Sequence, residues 1–100
     1  MTVSEYAKYV VSNMNRATLG NALNIVKKFE TEYNFVDFLA SVDSYVLQVL
    51  NSNLLDKSKC YNILYLTNNA LKKYNSNFNY NKNFIMDDFI IDLWGVINGD

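Results

Sequence analysis

The chain contains no proline and no histidine, one cysteine, and three glycines in 100 residues. Without histidine there is no His-based catalytic triad and no His/Cys zinc site. One cysteine cannot close a disulfide within the chain. Cys60 therefore reads as a small apolar core residue, and a lone thiol fits a reducing cytoplasm. Proline and glycine punctuate turns and hairpins, so their scarcity favours helices joined by polar links over a sheet. No apolar run approaches the roughly 20 residues that span a bilayer. The N-terminal MTVSEYAKYVV lacks the basic-then-apolar order of a signal peptide. Nine basic residues stand against 10 acidic ones, for a net charge of −1, which leaves no basic field to drive phosphate-dominated nucleic-acid binding. Neither a glycine-rich phosphate loop nor a Gly-x-Ser-x-Gly nucleophile elbow is present.

What the chain has in quantity is apolar and amide side chains. Half the residues are hydrophobic and 15% aromatic, enough to build one core in one domain spanning residues 1–100. Asparagine occurs 16 times, against one arginine and one glutamine. That bias, with abundant Lys, Tyr, Ile and Phe, is the usage AT-rich codons give, as in a low-GC bacterium or its phage.

Apolar residues recur at helical spacing in five stretches. The first runs from Ser4 to Met14, with Val3, Tyr6, Val10 and Met14 on one face and Thr2 and Glu5 spaced as a capping box. The second runs from Leu19 to Glu32, capped by Thr18, with Leu19, Ala22, Leu23, Val26 and Phe29 as its stripe. The third runs from Phe35 to Leu50 behind Asn34, with Asp37 in its first turn, where the helix dipole favours an anion. Its apolar face (Phe35, Phe38, Leu39, Val42, Tyr45, Val46, Val49, Leu50) is wide enough for a central helix touching several neighbours. After Asn51–Asn53, the fourth runs from Lys57 to Tyr74, capped by Asp56, and Cys60, Ile63, Leu64, Thr67, Ala70, Leu71 and Tyr74 hold the period. The fifth runs from Phe84 to Ile97, with Asn83 or Asn81 as its cap and Met86, Phe89, Ile90, Leu93, Trp94 and Ile97 as its stripe. The predicted fold is all-α: a compact antiparallel bundle of about five helices.

Candidate chemistry is thin. Asp87, Asp88 and Asp92 read as a solvated acidic face, and Lys72 and Lys73 as cations matched to a helix C-terminus. No catalytic, metal or cofactor residue is expected, and the chain reads as no enzyme. A DNA-reading helix-turn-helix over Ala17–Phe29 is disfavoured by the scarcity of basic residues there. The tyrosines are the informative excess. Tyr9, Tyr33, Tyr61 and Tyr65 fall off the main stripes, and two readings stand for them: helix–helix edge packing, or an interface to other subunits, where tyrosine is favoured. Tyr61, Tyr65, Tyr74, Phe78 and Tyr80 are therefore the candidate interface. For Phe78 and Tyr80, within NSNFNYN, two readings stand: rings folded back onto the core, or a protruding recognition loop.

The stretch ALNIVKKFETEYNFVDFLASVDSYVLQVL, followed by KCYNILYLTNNALKKYNSNFNYNKNFIMDDFIIDLW, resembles the C-terminal collar domain of sliding-clamp-loader subunits, the replication factor C, delta-prime and phage clamp-loader proteins. The matching features are Phe35 to Leu50, Ile63 to Lys73, the Asn77/Asn79 loop and Phe84 to Trp94, within residues 19–97. The resemblance implies a five-helix domain that assembles side by side in a ring during DNA replication. The family's ATP- and DNA-binding modules lie outside the matching region, so no catalytic residue carries over. The expected partners are other protein subunits, with a homo-oligomer as one form, and neither nucleic acid nor membrane. The alternative is a small phage or mobile-element protein that binds and inhibits a host protein.

Overall fold

A computed structural model describes residues 1–16, 18–29, 33–76 and 82–99, with the side chains of 16, 25–29, 82 and 83 outside the description. Five α-helices follow one another: α1 (Val3–Asn13), α2 (Leu19–Phe29), α3 (Phe35–Leu50), α4 (Lys57–Tyr74) and α5 (Lys82–Asn98), with a 3₁₀ turn at Met14–Arg16. No strand occurs among the described residues. The radius of gyration is 12.7 Å, close to the ~13 Å expected of a packed chain of this length.

Helix starts follow the caps. The Thr2 hydroxyl accepts the Glu5 N–H at 3.1 Å. It also meets the Glu5 carboxylate at 3.2 Å, so the pair joins side chain to side chain as well as capping the backbone. Because Thr2 is the cap, α1 begins at Val3, one residue before the expected start. Thr18 accepts from Asn21 N–H at 3.2 Å, Asn34 from Asp37 N–H at 3.2 Å, and Asp56 from Ser58 N–H at 3.2 Å. Each satisfies an amide that the first helical turn leaves without a partner. α3 and α4 have the bounds read from the sequence.

The ends differ more. In α1, Ser12 donates to the Lys8 carbonyl at 2.6 Å and Asn13 to the Tyr9 carbonyl at 2.8 Å. Such back-bonding competes with the ladder, and the chain tightens into the 3₁₀ turn. α2 ends at Phe29; the expected continuation through Glu30–Glu32 lies outside the described residues, as do the side chains of Val26 and Phe29. α5 starts at Lys82, so Asn83 stands inside the helix and is not its cap. The other candidate, Asn81, lies outside the described residues. At its C-terminal end, Asn98 donates to the Trp94 carbonyl at 3.0 Å and to the Met14 carbonyl at 3.1 Å. One amide thus closes α5 and ties it to the end of α1.

The principal helix contacts form a circuit: α1 on α3, α3 on α4, α4 on α5, α5 on α2 and the 3₁₀ turn, and α2 on α1. Inside it, aromatic rings run as a connected series. Tyr33 stacks on Tyr6 with centroids 4.8 Å apart, and Tyr6 meets Phe38 at 5.4 Å. Phe38 and Phe35 present edges to Phe89 at 6.1 and 6.3 Å, and Phe35 meets Tyr74 at 5.3 Å. These are favourable offset and edge-to-face separations. Tyr33, expected off the stripe, is half-buried and packs on the core, and its hydroxyl donates to the Met1 carbonyl at 2.7 Å. No helix among the described residues is long and apolar enough to cross a membrane.

Candidate functional site

α4 buries Cys60, Ile63, Thr67 and Ala70. Residues 61 and 65 lie one turn apart on the opposite side, so both rings face solvent: Tyr61 is 59% exposed and Tyr65 65%. α3 and α4 run antiparallel through the link at 51–56, and their register is set where Thr67 meets Asp43. Leu47 is four residues beyond Asp43 and Ile63 four before Thr67, so Leu47 stands level with Ile63, between Tyr61 and Tyr65 along the axis. Leu47 is 52% exposed, and Leu54, in the link, 76%. Two tyrosines and Leu47 thus stand exposed along the α3–α4 pair, while Leu54 lies at the end of the bundle beside Val11, Tyr45 and Lys59. Scattered exposed apolar residues are ordinary; a grouped set marks an interaction surface.

Of the other candidate interface residues, Tyr74 is half-buried against Phe35 and belongs to the core edge. Phe78 and Tyr80 lie outside the described residues. Leu47 and Leu54 escaped the sequence reading. Leu47 follows Val46 and precedes Val49 in a broad apolar run, and no periodicity argument singles it out.

The link that sets this face carries a special backbone. Asn53 has φ of 61°, the left-handed region that asparagine tolerates better than other non-glycine residues. Ser52 turns back onto Val49, its N–H and hydroxyl both reaching the Val49 carbonyl, at 3.1 and 3.0 Å.

Two titratable groups among the described residues carry resolved shifts. Asp43, half-buried between α3 and α4, has its carboxyl raised above the usual range, by burial first and against the opposing hydrogen bond from Thr67. Cys60 is fully buried, and its Sγ lies 3.9 Å from the Leu55 carbonyl. Burial, and then the charge of Asp56, push its thiol up, which withholds the nucleophilic thiolate. Cys60 is core, as expected. Asp88 and Asp92 border a depression of about 50 Å³ with Lys73 and Asn69. No group of three or more metal-capable Cys, Asp or Glu side chains converges among the described residues.

A larger cleft, about 470 Å³, opens where the C-terminal ends of α1, α3 and α5 meet the start of α4. Lys59 reaches into this end of the bundle, and its Nζ donates to the Ile97 carbonyl at 2.8 Å.

No protein-family model, curated protein or solved structure matches the chain.

Proposed function

We propose that the chain is a non-catalytic assembly domain, holding other protein subunits through the outer side of α3 and α4. The observation that carries this reading is the pair Tyr61 and Tyr65, exposed one turn apart, with the exposed Leu47 level between them along the α3–α4 pair. Tyrosine presents a large ring and a hydroxyl at little conformational cost, and aromatic anchors dominate interface energetics. The raised thiol of Cys60 removes the strongest nucleophile from play.

The specific form of the proposal follows the resemblance of residues 19–97: a collar domain of a DNA-replication clamp loader, packing side by side with sister collars. A cytoplasmic setting goes with it, where a buried single thiol stays reduced. The test mixes the chain with clamp-loader subunits and with itself, and reads mass by light scattering. Complexes at micromolar concentration that Tyr61→Ala/Tyr65→Ala dissolves would support the reading. A chain that stays monomeric alone and with every clamp-loader subunit would reject the collar assignment.

A further inference from the structure

We propose that the cleft at the α1/α3/α4/α5 end binds a small amphiphilic monoanion: an apolar body carrying one carboxylate, with Lys59 as its counter-charge. The volume, about 470 Å³, falls within the ~300–1,000 Å³ typical of ligand pockets. Val11, Val49, Leu55 and Ile97 give it apolar walls drawn from four different elements. Lys59 is half-buried, and its ammonium spends one of three donors on the Ile97 carbonyl. Among the described residues no carboxylate pairs with it. An ammonium held against apolar walls with two donors to spare recognises an anion, and the walls select one with an apolar body. Tyr45 also lines the cleft and adds a ring to its wall. Neither Tyr61 nor Tyr65 lines the cleft, so ligand binding by the single chain can be read apart from its association.

Decanoate is the probe and decanol its uncharged control, each titrated calorimetrically into the whole chain near neutral pH. Saturable binding of one decanoate is expected, with decanol weaker by about tenfold or more, the scale of one charge-assisted hydrogen bond. Lys59→Met is expected to weaken decanoate by a similar factor and to leave decanol unchanged. Ser12, exposed on α1 at the cleft lining, supplies an independent variant that keeps Lys59: Ser12→Trp fills the opening and abolishes binding of both. Amide chemical-shift changes in the unmutated chain should centre on Val49, Leu55 and Ile97. The proposal is overturned by absence of saturable decanoate binding, by decanol binding as tightly as decanoate, or by shift changes centred elsewhere. Folded Lys59→Met or Ser12→Trp that binds decanoate like the unmutated chain also overturns it. Should Lys59→Met fail to fold, the decanol comparison and Ser12→Trp decide the matter.

Discussion

The Thr67 hydroxyl lies within hydrogen-bond reach of two acceptors, the Asp43 carboxylate across the α3–α4 interface and the Leu64 carbonyl, 2.9 Å away on its own helix. A hydroxyl has one proton. With Asp43 ionised, that proton serves the carboxylate and the carbonyl gains nothing from it. With Asp43 neutral, the carboxyl donates to Thr67 and Thr67 donates to Leu64, so both contacts are hydrogen bonds. Burial is the larger effect: it raises the carboxyl pKa against the Thr67 hydrogen bond, which favours the ionised form. Between the unfolded and the raised folded value, the native state binds more protons than the unfolded state, so stability falls as pH rises through that window. The expectation is that urea unfolding at a series of pH values shows this decline. Asp43→Asn, which keeps the shape and cannot ionise, should flatten it. Thr67→Val, which removes the bridging hydroxyl, should cost about 1–3 kcal/mol, the penalty for stranding a buried polar partner. An unchanged pH profile in Asp43→Asn would refute the account.

The left-handed Asn53 predicts a split between two substitutions. Asn53→Ala puts a Cβ into strain at φ 61° and should lose about 1 kcal/mol. Asn53→Gly removes the strain and should hold stability within about 0.5 kcal/mol of the unmutated chain. Denaturant midpoints at equal slope measure both.

Gly95 sits exposed in the interior of α5, where an added Cβ would meet nothing within 4 Å. Its backbone angle is ordinary, so glycine's freedom in the unfolded chain is a cost with no return. Gly95→Ala should stabilise the fold by about 0.5–1 kcal/mol, a rise of several degrees in melting temperature for a domain of this size. A fall would mean that the face around residue 95 is occupied.

Tyr61→Ala and Tyr65→Ala should move stability by no more than about 0.5 kcal/mol, since both rings stand in solvent. An interface role instead predicts a loss of about 2 kcal/mol or more in association for at least one of them. Thermal unfolding and association measured on the same samples separate the two. A large loss of stability would show that the rings support the fold.

How much was legible in the sequence depended on whether signals were local. Asn34, Asp56 and the long apolar periods of α3 and α4 are local, and those bounds agree to the residue. α5 carries apolar side chains off its stripe as well as on it, with Phe84 and Ile91 exposed and Ile85 buried. Its period therefore gave no sharp start, and Asn83 was read as a cap where the helix already runs. Tyr33 fits no stripe because its partner Tyr6 is remote in sequence. The Lys59 cleft is assembled from Val11, Val49, Leu55 and Ile97, positions whose proximity no spacing rule encodes. The Tyr61/Tyr65 face, one turn on one helix, was visible as residues that fit no stripe.

The circuit of helices has a consequence for synthesis. α2 has its principal contacts on α5 and α1, not on α3, which follows it directly. A nascent chain that has emerged only through α4 therefore holds Ala22 and Leu23 without the α5 wall that α2 packs on, and leaves Met14 without the Asn98 amide. α1, α3 and α4 can pack on one another as they emerge, while α2 and the end of α1 stay open until α5 closes the ring.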